Sequence, residues 1–133
     1  MKDRLIEDYL FKSEVRIKAL EFYLQSKDYP DVIREAQEVV ELLLKALLRS
    51  LGIEAPKIHD VSKTIELNLD KMPEIICDNI ALIKKISKAL RKERELCFYG
   101  ADDFIPTEEY SFEEASEAIN QAKIIFDIVQ KSL

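Results

Sequence analysis

A run of basic residues between positions 84 and 94 contains the side chains best suited to bind an anion. Helical spacing places most of its cations towards one side of a helix, and a tyrosine follows. The candidate phosphate-binding residues are Lys84, Lys88, Arg91, Arg94 and Tyr99. Cationic groups on one face can hold the phosphates of a nucleotide or of RNA. The other interpretation is a solvated face, because Lys and Arg are favoured near the carboxyl end of a helix.

Residues that could act as an acid, a base or a nucleophile are few. The only histidine is His59, and imidazole is the side chain that takes up a proton near neutral pH. Together with Arg94 and Tyr99 it forms the set of candidate catalytic residues. The alternative is a structural role, in which His59 bonds a backbone group and fixes the loop before the next helix.

The two cysteines, Cys77 and Cys97, follow a helical pattern with apolar neighbours. We therefore predict two buried, reduced thiols rather than half of a Cys–His pair. The sequence has no CxxC spacing, no His/Cys cluster and no glycine-rich phosphate loop. From these patterns we predict neither a bound metal nor a cofactor.

Composition restricts the class of protein that could carry such a site. The 133 residues suit a single domain spanning positions 1–133. The net charge of −6 gives no global attraction for nucleic acid or an anionic membrane, so any such binding needs a local basic patch. The amino terminus has no long apolar segment, and the longest apolar zone is interrupted by charges. We therefore predict a cytoplasmic protein without membrane association.

The elements that position these residues are predicted to be helices. Only two glycines and four prolines are present, so turns are scarce and elements long. The apolar pattern predicts helices over residues 3–26, 30–51, 61–68 and 74–98, and a last one opened by a capping box at Ser111 and Glu114. Residues 99–110 are predicted to be a loop, in which Gly100 ends a helix and Pro106 prevents its resumption. The predicted fold is all-α, an antiparallel four-helix bundle with an additional short helix.

Three of these helices carry specific predictions about packing. The first has two apolar stripes, which indicate neighbours on two sides. One stripe consists of Ile6, Leu10, Ile17, Leu20 and Leu24, and the other of Phe11, Val15, Ala19 and Phe22. The second is apolar over more than half of its circumference, so it is either the centre of the bundle or also a dimer contact. The fourth has a predicted core stripe that consists of Ile75, Leu82, Ile83, Ile86, Leu90 and Cys97.

The segment "AQEVVELLLKALLRSLGIEAPKIHDV", residues 36–61, resembles the signature of HEPN domains. The matching positions are Ala36, Gln37, Glu41, Lys45, Ala46, Leu47, Leu48, Gly52, Pro56, His59 and Asp60. The tail, "RELCFYG" followed by an acidic loop and "YSFEEASEAINQAKIIFDIV", resembles the last helices of the family. The resemblance covers nearly the whole chain and implies a HEPN bundle.

The resemblance also implies functions. Many HEPN proteins are dimers, and some are metal-independent RNases with an Arg-x(4–6)-His motif at the end of the fourth helix, which meets its mate across the dimer. Others accompany a minimal nucleotidyltransferase in toxin–antitoxin-like two-gene modules and are thought to bind nucleotides. In one subset a tyrosine follows in a His-x-Tyr pattern and receives a nucleotide from the partner.

This sequence departs from the RNase motif at its histidine. Counted from Arg91, the histidine position falls on Cys97; counted from Arg94, it falls on Tyr99 or Gly100. We therefore expect a non-catalytic, dimeric module that binds a nucleotide or a nucleotidyltransferase partner. One alternative is an RNase with a divergent site that uses Arg91, Arg94 and Tyr99, with His59 brought in by the fold. Another is a structural bundle whose basic face is only solvated.

Overall fold

The computed structural model describes residues 3–57 and 60–133, and for residues 93–99 it describes the backbone but not the side chains. The described residues form six α-helices, which follow one another along the chain. They are α1 (Arg4–Gln25), α2 (Tyr29–Ser50), α3 (Val61–Leu67), α4 (Glu74–Tyr99), α5 (Pro106–Glu109) and α6 (Phe112–Ser132), with a 3₁₀ turn at Leu69–Lys71. The predicted all-α class and the four long helices are confirmed.

Side-chain caps explain where these helices begin. Asp3, Asp28 and Asp60 each accept a backbone N–H from the first turn of the helix that follows. At α6 the Ser111 hydroxyl accepts the Glu114 N–H while the Glu114 carboxylate accepts the Ser111 N–H, which completes the predicted capping box. Each cap satisfies backbone donors that the helix itself leaves unpaired.

The four long helices are arranged around α2 and α6. These two helices pack against each other, and each also packs against α1 and α4. Among the described residues, α1 and α4 are not a closely packed pair, so they lie on opposite sides of the α2–α6 pair. The other helices of the same chain thereby cover the apolar circumference of α2. This supports the prediction that α2 is the centre of the bundle.

The two apolar stripes of α1 have different surroundings. Ile6 and Leu20 of the first stripe are buried in the core. The second stripe, predicted to meet another neighbour, contains Phe11, Val15 and Phe22, and all three side chains are exposed. Within the described chain only one side of α1 is packed.

The fourth helix corrects two predictions. Ile83, Ile86 and Leu90 are buried as predicted, but Leu82 is 38% exposed and Ile76 is fully buried. Cys77 is exposed rather than buried, and its Sγ lies 3.4 Å from the carbonyl oxygen of Leu69 in the 3₁₀ turn. Leu82 is exposed because α4 presents to the bundle the side that centres on Ile76 and Ile83. Cys77 is exposed because it lies well away from that side on the helical wheel, and its apolar neighbours in sequence did not imply burial. The prediction for Cys97 lies outside the described residues.

The connection from α4 to α6 is more structured than predicted. Gly100 has a φ of 70° and ends α4, after which Ala101 and Phe104 exchange two backbone hydrogen bonds of 2.9 and 3.0 Å. Pro106 does not exclude a helix there but begins the one-turn α5, since its fixed φ and missing N–H suit a first helical position. Tyr110 then packs into the core.

None of the helices in the described part of the chain combines the length and the apolar character that crossing a membrane requires.

Candidate functional site

The candidate site is a polar contact between α2 and α4. Glu41 of α2 accepts a hydrogen bond at Oε1 from Nη2 of Arg91 in α4, across 3.5 Å. The Glu41 side chain is 17% exposed and that of Arg91 is 37% exposed. The long separation and the partial exposure make this a weak ion pair energetically, but it orients the guanidinium. Among the described residues, Arg91 uses one of its five N–H donors on Glu41, which leaves a cation that faces partly to solvent.

Gln37 lies one helical turn before Glu41 on α2 and holds the Glu41 carboxylate by a hydrogen bond. Its Nε2 donates to Oε1 of Glu41 across 2.7 Å, so this one carboxylate oxygen receives both bonds. The Gln37 side chain is 1% exposed, and its own Oε1 is buried without a hydrogen-bond partner among the residues that the structure describes. The buried amide therefore fixes the Glu41 carboxylate, and through it the Arg91 guanidinium.

A second polar contact joins α3 to α4 one turn before Arg91. Oδ1 of Asp60 caps α3 by accepting the Ser62 N–H at 2.9 Å and the Ser62 hydroxyl at 2.8 Å. The Ser87 hydroxyl of α4 donates to the same oxygen across 3.2 Å. Ser62 and Ser87 are both almost completely buried. The carboxylate therefore fixes the start of α3 against the helix that carries the basic run.

Two of the predicted phosphate-binding cations are held in ion pairs. The Lys84 ammonium lies 2.6 Å from Oε2 of Glu66 in α3, and Arg91 is held by Glu41. Lys88 is exposed and makes no ion pair with any residue that the structure describes. The run is therefore less positive than the sequence indicates, and Lys88 and Arg91 are its most available cations among those described.

Three other residues were predicted to belong to the site, namely His59, Arg94 and Tyr99. His59 lies outside the described residues, as do the side chains of Arg94 and Tyr99. The structure thus brings together Lys84, Lys88 and Arg91 on α4, with α2 and α3 beside them. Asp60, which follows His59 in the chain, contacts Ser87 of the same helix.

Sequence reasoning from the basic run alone missed Gln37 and Glu41 as parts of this site. Gln37 and Glu41 were named only as positions that match the family signature, and neither residue carries a positive charge. The available signal was their spacing, since a Gln and a Glu four residues apart share one helix face and can bond. A glutamine within so apolar a helix was a second signal, because burial there requires a polar partner.

The polar stripe of α2 continues to its carboxyl end. Lys45 and Arg49 line an open pocket of about 400 Å³ with Tyr9 of α1 and the loop that follows α2. Arg49 is bonded there to Oδ2 of Asp3 across 2.7 Å. The Leu5 backbone N–H, with the Arg49 guanidinium, lowers the pKa of the Asp3 carboxyl. This pair fixes the amino end of α1 to the carboxyl end of α2.

The family model of the HEPN domain matches residues 6–132, nearly the whole chain. The chain therefore belongs to the HEPN domain family, and its all-α bundle is a HEPN fold. No curated protein and no solved structure matched the chain.

Proposed function

We propose that this HEPN chain, acting as one unit over residues 1–133, is a non-catalytic binding module of a cytoplasmic toxin–antitoxin-like two-gene system. Its ligand is a phosphate-bearing nucleotide or a minimal nucleotidyltransferase protein, and it works as a homodimer. The observation that carries the proposal is the state of Arg91, which Glu41 holds in place and which still faces solvent. A pre-positioned guanidinium with unused N–H donors suits phosphate recognition.

One feature of the sequence supports binding without cleavage. The sequence offers no histidine at the spacing that the RNase motif of the family requires after Arg91 or Arg94. A ribose 2′-hydroxyl then has no imidazole at that position to take its proton near pH 7.

The test is calorimetric titration of the protein with ATP, AMP and pyrophosphate at low salt. We expect binding that Arg91→Ala and Lys88→Ala each weaken at least about fivefold, since each removes a charge-assisted contact of about 1 kcal/mol or more. The matched control is Lys131→Ala, which removes a cation from the far end of α6, where it pairs with Asp127. Equal affinity of the parent and Arg91→Ala for every ligand would contradict the proposed site.

Binding of a nucleotidyltransferase partner is tested in a separate experiment. A minimal nucleotidyltransferase is co-expressed with the tagged chain, and the complex is isolated at physiological salt. We expect a stable complex that charge reversal at Lys88 and Arg91 dissolves, while reversal of Lys131 leaves it intact. A complex unaffected by both reversals would place the partner elsewhere on the chain.

An RNase with a divergent site is the second candidate function, and one contact favours it. Asp60 is bonded to Ser87, one turn before Arg91, and His59 is its neighbour in sequence. The assay is RNA cleavage in EDTA with the parent, Arg94→Ala and His59→Ala. Cleavage by the parent that both variants lose would establish the enzyme. Absence of cleavage at every protein concentration supports the binding module.

A further inference from the structure

The pocket at the carboxyl end of α2 is separate from the α2–α4 contact and shares no residue with it. Its described walls consist of Asp3 and Tyr9 at the amino end of α1, Lys45 and Arg49 of α2, and the loop residues 52–55. Its volume of about 400 Å³ lies within the range of about 300–1,000 Å³ that is usual for small-molecule sites. The pocket is therefore large enough for a small metabolite.

The loop wall of this pocket is held in a fixed turn. Gly52 has a φ of 71°, a left-handed conformation that glycine adopts without strain. The Gly52 N–H donates to the carbonyl oxygen of Arg49 across 3.1 Å, and the Ile53 N–H donates to that of Leu48 across 2.9 Å. Two such bonds commonly end a helix at a glycine. This wall is therefore in place before any ligand binds.

The Arg49 side chain is also fixed in position. Its Nε donates to Oδ2 of Asp3 across 2.7 Å, and the other Asp3 oxygen accepts the Leu5 backbone N–H across 2.8 Å. The bond to Asp3 occupies one of the five guanidinium N–H donors, and the Arg49 side chain is 48% exposed. Among the described residues, its two Nη groups have no acceptor, so they are available to a carboxylate.

The pocket also contains a cation and an anion that are not paired with each other. Lys45 is partly buried and Glu54 is exposed on the loop. Neither forms an ion pair with any residue that the structure describes. An ammonium group taken partly out of water without a counter-charge is unfavourable, so an anionic ligand group beside Lys45 is stabilised. Glu54 attracts a cationic group and repels a second negative charge.

Backbone and apolar groups of the loop complete the site. The N–H groups of Glu54 and Ala55 donate to no other residue in the described part of the chain, so they are further donors for a carboxylate. Ile53 and Ala55 are partly buried and give the pocket an apolar wall. The pocket thus offers donors for one anion, an acceptor for one cation and a surface for a short apolar group.

We propose that this pocket binds a small zwitterion of the class of free amino acids. The ligand carboxylate accepts hydrogen bonds from the Lys45 ammonium and an Nη group of Arg49, and the ligand ammonium faces the Glu54 carboxylate. The ligand side chain lies against Ile53 and Ala55. The inference goes beyond the proposed function, because it assigns a second class of ligand to a separate pocket.

The acidic groups of the pocket separate this ligand from a nucleotide. Asp3 neutralises part of the Arg49 charge, and Glu54 has no described cation to neutralise it. A phosphate that carries two or more negative charges is repelled by both carboxylates. A zwitterion has no net charge and places its positive group where the pocket is negative. We therefore expect amino acids to bind here in preference to nucleotides.

Nuclear magnetic resonance of the ¹⁵N-labelled protein tests the site with each of the twenty protein amino acids in turn. We expect at least one of them to bind with a Kd of about 1 mM or tighter, which is within reach of a ligand of this size. Saturable shifts should appear at the amides of residues 52–55, and amino acids with apolar side chains should bind more tightly than those with charged ones. Absence of saturable shifts there with all twenty would overturn the inference.

Substitutions test the roles of the two charged residues. With the tightest ligand, Lys45→Gln should raise Kd at least about fivefold and Glu54→Gln at least about threefold, since each removes a charge opposite a ligand group. The control is Lys57→Gln, which removes an exposed cation of the same loop outside the pocket. Glu54 is exposed, so its variant tests the site even where Lys45→Gln disturbs the fold. A Kd unchanged by Glu54→Gln would overturn the zwitterion site.

Analogues of the tightest ligand test the two ligand groups separately. The carboxylic acid that lacks the ammonium group and the amine that lacks the carboxylate should each bind at least about tenfold more weakly than the amino acid. In Glu54→Gln the affinities of the amino acid and the carboxylic acid should converge, because the acceptor for the ammonium is gone. A carboxylic acid that binds the parent as tightly as the amino acid would overturn the proposal and identify a simple anion site.

Discussion

Ser87 of α4 donates its hydroxyl to Asp60, the residue that caps α3, across 3.2 Å in the interior of the protein. The same carboxylate oxygen also receives both hydrogen bonds from Ser62. One side chain therefore begins a helix and attaches it to another. The attachment lies beside the basic run, so its loss would disturb the candidate site through the position of α3.

We expect Asp60→Ala to destabilise the protein by about 2–3 kcal/mol, because it removes a helix cap and leaves two buried hydroxyls without an acceptor. Ser87→Ala should cost about 1 kcal/mol, since it removes only the inter-helical bond. Urea denaturation measures both values. Equal losses in the two variants would show that the cap contributes nothing beyond the bond to α4.

The contact between Arg91 and Glu41 is expected to contribute little to stability and much to binding. A double-mutant cycle with Arg91→Ala and Glu41→Gln should give a coupling energy of about 0.5 kcal/mol, because the pair is long and partly exposed. Denaturation of the four proteins measures it, with the exposed pair Lys131 and Asp127 as the reference cycle. A coupling of several kcal/mol would identify the pair as a structural ion pair instead.

Gly100 and Gly52 form a matched pair for a test of the α4 terminus. Both have a positive φ, 70° and 71°. An added Cβ at Gly100 would lie 2.7 Å from the Phe104 carbonyl oxygen and from Pro106 Cδ, whereas nothing lies within 4 Å at Gly52. We expect Gly52→Ala to cost about 1 kcal/mol and Gly100→Ala to cost distinctly more, about 2–3 kcal/mol. Thermal denaturation measures both, and equal losses would contradict the steric argument.

The start of α2 is expected to make stability depend on pH. The hydrogen bond with Asp28, followed by burial and by repulsion from the Asp28 charge, raises the pKa of Asp31 to about 6. Its ordinary value is 3.8, so the folded protein binds this proton more tightly than the unfolded chain does. The resulting stabilisation is complete below about pH 4 and is lost as the pH rises through 6.

Asp31→Asn should therefore be more stable than the parent at pH 7.5, and the difference should vanish near pH 4. The gain should not exceed about 1 kcal/mol, because solvent screens a partly exposed pair. Melting temperatures of both proteins across this range measure it, with Asp70→Asn as the control carboxylate. A pH-independent difference between parent and variant would contradict the raised pKa.

Periodicity predicted the long helices because their apolar residues recur with the helical repeat over many turns. The central position of α2 in the bundle followed from the same pattern, since a helix that is apolar on most sides can be covered only by several neighbours. Which side of α4 faces the core could not be predicted from the same pattern. Its apolar residues Ile75, Ile76, Leu82 and Ile83 come in adjacent pairs, and the pattern alone does not say which member of a pair faces inward.

The candidate site was predicted in part, from charge rather than from contacts. The basic run identified Arg91 and Lys88, because cations at helical spacing are visible in the sequence. The acidic partners of Arg91 and Lys84 were not predicted. Glu41 and Glu66 lie far from the run along the chain, and only the packing of α2 and α3 against α4 brings them together. Pro106 was misjudged because a proline that ends one helix equally suits the first turn of the next.

The separation of α1 from α4 by the α2–α6 pair has a consequence for communication within the molecule. A ligand or partner held on α4 has no close contact with α1 among the described residues, so its binding can alter the surface of α1 only through the packed side chains of α2 and α6. Substitutions on the exposed faces of the two outer helices should therefore have additive effects on stability.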